Sequence, residues 1–284
     1  MSTATSTRRT AKRRHRCPPD GFRTGHRQKV STAQEVRHSR TYDVAITVGL
    51  IAYGLVHLLV AWIALQLAWG RSSKEASQQG ALQELAAQPL GGVLLWVVAI
   101  GLFALVGWRA LEIFWGHLKP GKKVSSAGRA IVYLVLGVSA VKVAVGSGGS
   151  STGQQRTASA QLMAHGPGRV LVVAVGVAII AIGCYHVYKA ITKKFTEDLA
   201  GGVSDLTVLL GRIGYAAKGV AFGVVGVLFG WAAIAYDPQK AGGLDTALRT
   251  IKEQPFGSVL LTVLALGIAA FGLYAFSWSR NARR

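Results

Sequence analysis

Six long apolar stretches run along the chain, at Ala45 to Leu67, Leu90 to Leu111, Ala130 to Val145, Val170 to Tyr188, Ile213 to Ala235 and Phe256 to Ser277. Most approach the ~20 residues that a helix needs to cross a bilayer. A helix on a soluble core carries a polar stripe at a 3.6-residue period, and these runs show almost none. A membrane β-barrel would instead alternate polar and apolar positions over about ten residues, and no such alternation occurs. The pattern predicts an all-α, polytopic integral membrane protein with six transmembrane helices.

The stretches come in pairs with a recurring phrase. Gly211 to Asp237 reads GRIGYAAKGVAFGVVGVLFGWAAIAYD, and Thr246 to Phe276 returns as TALRTIKEQPFGSVLLTVLALGIAAFGLYAF. That returning half matches Gly80 to Trp108 at an offset of 166. A more eroded copy runs from Gly128 to Ala140 and from Ser159 to Tyr188. Each copy reads as one helix pair that cannot bury its surfaces alone. The chain therefore divides into a basic tail (1–44), three two-helix repeats (45–115, 126–190 and 211–278) and a short basic C-terminal tail (279–284).

Lysine and arginine set the expected orientation, because short cytoplasmic loops carry the positive excess. One side holds the tail with its eleven basic residues, then Lys119, Lys122 and Lys123, then Lys193 and Lys194, then Arg280, Arg283 and Arg284. The other holds Arg71 and Lys74, Arg156, and Lys240, Arg249 and Lys252. Both termini are expected in the cytoplasm. An even number of helices per repeat makes the three copies parallel, related by rotation about the membrane normal, unlike the inverted repeats of many secondary transporters.

The formal net charge of +20 is concentrated in the tail, which lacks apolar periodicity. Such a segment is expected to be disordered and drawn to anionic headgroups, with no specific nucleic-acid role. Arg8-Arg9 is followed by no apolar core and cleavage site, so no cleaved leader is read there. Cys17 in the tail and Cys184 inside a helix imply no disulfide framework.

Inside the spans, Gly219, Gly223, Gly226 and Gly230 are spaced four, three and four apart, which places them on one face of the fifth long helix as a close-packing seam. Gly214 and Gly219 recur as Gly49 and Gly54, consistent with one packing geometry used again. Ionisable residues in a span are candidates for function because lipid makes them costly. His57 lies near the middle of the first span, where the other copies have Tyr133 and Phe222, and Tyr53 lies one turn earlier. The choice is between a hydrogen-bonded packing histidine and a proton-sensitive or ligand-contacting one.

Arg109, Glu112, Arg129, His186, Lys189 and Lys218 form a second set, expected towards the helix ends on the tail side. Arg129 matches Lys218 between copies, and Arg109 matches His186. One reading has the long basic chains reaching out to the headgroups, as Lys142 does at the other end, and Arg109 pairing with Glu112 three residues on. The other is a quasi-symmetric basic ring that recognises lipid phosphate.

On the opposite side, Leu82 and Leu85, and again Leu248 and Ile251, mark short amphipathic segments followed by Pro89-Leu90-Gly91 and Pro255-Phe256-Gly257. Proline suits a first helical turn, so each reads as an interfacial helix that turns the chain inward. Gly146 to Gly153 lacks the strand and the Lys-Ser/Thr ending of a phosphate loop and reads as a flexible linker. Neither HExxH, nor GxSxG, nor a Cys/His cluster at metal spacing is present, so no catalytic residue, metal or other cofactor is expected.

The Gly-Arg-x-Gly-Tyr-Ala-Ala-Lys-Gly phrase from Gly211 and the Ala-Leu to Pro-Phe-Gly phrase at Ala247 to Gly257 resemble a bacterial membrane family known only as a domain of unknown function in three tandem two-helix repeats. The resemblance covers about residues 41 to 278; the second copy departs with Gly166-Pro167-Gly168, and the first lacks the Gly-Arg opening. It implies six helices in the inner membrane and no established activity. The favoured expectation is a non-enzymatic structural or accessory protein whose partners are membrane lipids, a second copy or another membrane protein. The alternative is a small channel or transporter with a path between the repeats, which requires several polar residues to converge on one axis.

Overall fold

The computed structural model describes residues 40–71, 73–115, 120–199 and 203–281. The tail before Arg40, including Cys17, lies outside the described residues, as do His117, Lys119 and the last three positions. In chain order the α-helices are α1 (Arg40–Ala68), α2 (Gln78–Ala86), α3 (Gly91–Trp115), α4 (Pro120–Ala144), α5 (Ser151–Met163), α6 (Gly166–Thr192), α7 (Asp205–Ala235), α8 (Gly243–Lys252) and α9 (Gly257–Asn281). Short 3-10 turns cover Lys194–Asp198 and Pro238–Lys240. Six of the helices, α1, α3, α4, α6, α7 and α9, are long and apolar enough to cross a membrane. Each repeat also carries one short helix in its far loop, opposite the tail end.

Side-chain caps decide where several helices start. Ser77, Ser150 and Ser204 each accept the amide N–H three residues on, opening α2, α5 and α7. The Ser204 cap starts α7 at Asp205, well before the apolar run at Ile213. Lys218 therefore lies deep inside its helix rather than at its opening. Arg129 likewise lies inside α4, which starts at Pro120.

The second span of each repeat packs on the first span of the next. α3 packs on α4, α6 on α7, and α9 returns to α1 to complete the cycle. Within a repeat, α1 packs on α3 and α7 on α9, whereas α4 and α6 do not pack together among the described residues. The six spans thus form an open ring in the order α4, α3, α1, α9, α7, α6. In α4 and α6 only 28% and 17% of the most apolar stretch is buried, against 44% to 61% in the other four. The expectation of one packed helix pair per copy holds for the first and third repeats and fails for the second.

Glycine contacts give the physical reason. A Cβ on Gly49 would run into the Gly101 carbonyl of α3, and one on Gly214 would stand 2.6 Å from Phe271 Cα of α9, so these glycines close each first span onto its own partner. In the repeat register that pairs His57 with Tyr133 and Phe222, the second copy has Ser125 at that place. The contacts between repeats use a second site. A Cβ on Gly54 would meet the Gly272 carbonyl at 2.9 Å, and one on its equivalent Gly219 would meet the Gly183 carbonyl at 2.8 Å.

All four seam glycines of α7 face α6, but in two ways. Gly219 and Gly226 point their missing side chains at Gly183 and Gly176. Gly223 and Gly230 lend only backbone, their amide nitrogens 3.0 Å from where a Cβ on Gly183 or Gly176 would stand. Small residues that admit backbone-to-backbone approach are the main way helices associate in lipid.

The far loops depart from the expected geometry at their prolines. Pro89 and Pro255 precede their helices, and the next residues, Leu90 (φ 65°) and Phe256 (φ 59°), take the left-handed conformation. Gly91, Gly168 and Gly257 then approach the carbonyls of Leu85, Leu162 and Lys252 so closely that no Cβ fits. The second copy keeps this contact although its Gly-Pro-Gly differs in sequence, with Pro167 inside the first turn of α6.

Gly183→Ala and Gly176→Ala are expected to lower stability by about 1–3 kcal/mol, because the added methyl meets backbone that cannot swing away. Gly223→Ala and Gly230→Ala meet open space and are expected to be neutral, or to gain up to ~1 kcal/mol of helix propensity. Thermal melts of the four variants in detergent check the contrast.

Candidate functional site

The interior of the open ring is lined by aromatic rings from all three repeats. Tyr53 of α1 lies edge-on to Tyr133 of α4 at 5.3 Å and to Phe271 of α9 at 5.9 Å. Phe271 continues to Tyr215 of α7 at 5.3 Å, and Tyr215 to His186 of α6 at 5.6 Å. Phe195, from the 3-10 turn after α6, stacks on Tyr215 at 5.3 Å and accepts a bond from the Tyr274 hydroxyl on its carbonyl.

Three polar side chains meet in this lining. Lys218 Nζ donates to the Tyr53 hydroxyl at 3.1 Å and reaches His57 Nε2 at 3.3 Å. His57 Nδ1 lies 2.8 Å from the Tyr53 carbonyl. A carbonyl only accepts, so Nδ1 carries the proton and Nε2 is left to accept from the ammonium. The Lys218 ammonium also stands 4.0 Å from the centre of the Phe271 ring, a cation–π contact. His57, with 3% of its surface exposed, is a hydrogen-bonded core residue, and Lys218 is only half-buried. Lys218 does not reach out to the headgroups; its side chain turns inward to these partners.

His186 repeats the histidine arrangement, with Nδ1 2.8 Å from the Ile182 carbonyl. Lys218 and Arg129 are both close enough to act on it electrostatically. Arg109 is buried, 2% exposed, and likewise does not reach the headgroups. It pairs with Glu112 at 2.6 Å, and Glu112 also accepts from Ser126. The Arg109 guanidinium lies 4.1 Å from the centre of the Trp108 ring, and Arg109 and Arg129 each stand 6.0 Å from Trp278. Arg109 and Arg129 thus share Trp278 between them, and Arg129 acts electrostatically on Lys218. Two buried Arg109 nitrogens, Nε and Nη2, have no hydrogen-bond partner among the described residues.

A second polar assembly joins the short helices at the far end. Glu75 accepts from Ser77 and Ser150 at 2.6 Å each, from Ser151, and from the Thr152 amide at 3.1 Å. Asp245 accepts from the Ala76 amide at 2.8 Å and from Arg249 at 2.9 Å. Arg249 also donates to the Lys74 carbonyl, and Arg156 to Thr246, both at 3.1 Å. Each short helix is thus tied to the other two. Gly146 to Gly153 is not the expected flexible linker, since its second half caps and opens α5 and grips Glu75. Leu82, Leu85 and Leu248 are buried beneath this layer rather than dipping into an interface.

Among the described residues no three His, Cys, Asp or Glu side chains stand close enough to hold a metal ion. A family model described as "Domain of Unknown Function (DUF1206)" matches residues 48–116, 124–193 and 213–282. The chain belongs to this family. An uncharacterized protein of Bacillus subtilis (strain 168), YxxB, is 28% identical over 239 residues, which are 80% of this chain and 86% of that protein. No solved structure matches.

The three family segments begin at 48, 124 and 213, so Tyr53, Arg129 and Lys218 each stand five residues after the start of theirs. Equivalent positions of the three DUF1206 copies thus meet in the interior: Lys218 bonds Tyr53, and Arg129 acts electrostatically on both. The register pairing His57 with Tyr133 and Phe222 holds the same signal one turn earlier. By contrast, the Glu75 assembly carries no repeated motif, and only folding makes it visible.

Burial by itself would raise the Glu75 carboxyl. The hydroxyls of Ser150, Ser151 and Ser77 and the Thr152 amide outweigh it and hold the group below its ordinary value of 4.5. A depressed carboxylate adds stability above its ordinary value and loses it as pH falls through the lowered one. The melting temperature of the wild type is therefore expected to drop as pH falls from about 5 to 3. Glu75→Gln should melt lower at neutral pH and show a smaller acid-dependent drop in the same scan.

Proposed function

We propose that this protein is a non-enzymatic structural or accessory protein of the bacterial inner membrane, with both termini in the cytoplasm, that engages anionic lipid headgroups through its basic tail end. The observation that carries the reading is the aromatic packing inside the ring. Where a conduction path between the repeats would run, Tyr53, Tyr133, Tyr215, Phe271 and Tyr274 pack on one another, and the short helices are tied across the far end. The lysine and arginine bias between the two ends supports the orientation.

One observation favours the channel or transporter reading. Lys218, His57 and Tyr53 converge inside the ring, as a path lined by polar groups requires. Proteoliposomes under a pH gradient separate the two readings. Wild type and His57→Phe are both expected to match empty vesicles; proton or ion flux by the wild type that is lost in His57→Phe would overturn the structural reading.

Orientation has its own test, in a Cys17→Ser, Cys184→Ser background with single cysteines at exposed sites. Ser73→Cys is expected to react with an impermeant maleimide on intact spheroplasts. Lys193→Cys is expected to react only after permeabilisation, and the opposite pattern would invert the topology.

A further inference from the structure

The second repeat stands apart because α4 and α6 flank an opening instead of closing on each other. Both spans expose apolar side chains along their length, among them Leu134 and Val138 on α4 and Val175 and Ile182 on α6. From α4, Tyr133 reaches Tyr53; from α6, His186 reaches Tyr215. The floor between them is α1, α9 and α7, with Lys218 half-buried in it. We infer that this opening holds one anionic phospholipid of the surrounding membrane, its phosphate against Lys218 and His186 and its acyl chains along α4 and α6. The inference rests on the anionic-lipid part of the proposed function and gives it an address.

Charge and valence argue for this occupant. An ammonium has three N–H donors. Those of Lys218 meet the Tyr53 hydroxyl and His57 Nε2, and the third has the Phe271 ring face beside it but no hydrogen-bond acceptor among the described residues. Both bonded partners are neutral, so a cation stands within the spans with no bonded counter-charge, a state that is costly in lipid. Arg129 close by adds to the positive field. His186 gives its Nδ1 proton to the Ile182 carbonyl, and its Nε2 has no partner among the described residues. A phosphate supplies acceptor oxygens for the remaining Lys218 N–H and, once a proton is taken up, for His186 Nε2.

Position argues for a lipid rather than a soluble anion. The opening lies between two membrane-spanning helices, and the short-helix layer ties the far end together. His186 lies six residues from the tail end of α6, ~9 Å at 1.5 Å per residue, so the site belongs to the leaflet on that side. A headgroup drawn inward by about that distance keeps its chains in the hydrocarbon.

The test uses the full-length protein in nanodiscs of equal phosphatidylglycerol and phosphatidylcholine, released into native mass spectrometry. The wild type is expected to keep one phosphatidylglycerol per chain. Lys218→Gln and His186→Gln are each expected to cut that retention tenfold or more, and Lys218→Arg to keep it. Lys193→Gln with Lys194→Gln, exposed at the end of α6, is the control and should change nothing. Circular dichroism melts establish that each variant folds, and if Lys218→Gln does not, the half-exposed His186 carries the test.

Wild-type retention in both glutamine variants overturns the inference. So does loss in the Lys193/Lys194 control alone, which places the lipid elsewhere while leaving the anionic-lipid reading intact. No preference for phosphatidylglycerol over phosphatidylcholine in the wild type defeats both. Displacement by excess soluble glycerophosphoglycerol would mark a site for free anions and overturn the lipid assignment.

Discussion

Backbone-to-backbone approach through missing side chains is the constraint on which the rest of this fold depends. Hydrocarbon is as apolar as leucine, so burying leucine against leucine gives the spans little reason to associate. What remains is dispersion over closely matched surfaces, and that is largest where no Cβ intervenes. Gly54 on Gly272, and Gly219 and Gly226 on Gly183 and Gly176, join one repeat to the next. Gly49 on Gly101 and Gly214 on Phe271 close the first and third repeats internally. The ring stays open where Ser125 takes the place of that glycine.

The open ring sets the electrostatics of the interior. Long basic side chains near a helix end normally reach for water or headgroups, because a charge in hydrocarbon is expensive. Here α7 begins early on its Ser204 cap, which carries Lys218 inside the bundle, and Tyr53, His57 and the Phe271 face receive its ammonium. Threefold repetition then brings equivalent positions together, so that a tyrosine, an arginine and a lysine share one neighbourhood. A homogeneous repeat would have put three like charges there. Tyr53 at the first copy's position carries no charge and supplies a hydroxyl there.

The two ends of the molecule are held by different physics. At the far end, short helices that bury Leu82 and Leu248 are joined by carboxylates accepting from hydroxyls and amides, bonds strengthened by partial removal from water. At the tail end, tryptophan and tyrosine faces receive guanidinium and ammonium groups. The far-end layer spans all three repeats, including the second, whose long helices do not pack together among the described residues. Polar stitching outside the hydrocarbon thus restores the unity that α4 and α6 do not provide inside it.

By itself the sequence determined the class, the number of spans, the three repeats and the glycine face of α7, because each is a local periodicity or a self-similarity that solvent and lipid read residue by residue. It also singled out His57, Tyr53, Arg129, His186 and Lys218 as costly in a membrane. Only the tertiary structure decided that Lys218 turns inward to Tyr53 and His57, that Arg109 is buried beside Trp108, and that a run of serines and glycines grips Glu75 from the neighbouring repeat. Those outcomes depend on where helices start and which helix stands next to which. Neighbourhood in a ring is set by close approaches between residues far apart in the chain, and no local pattern records them.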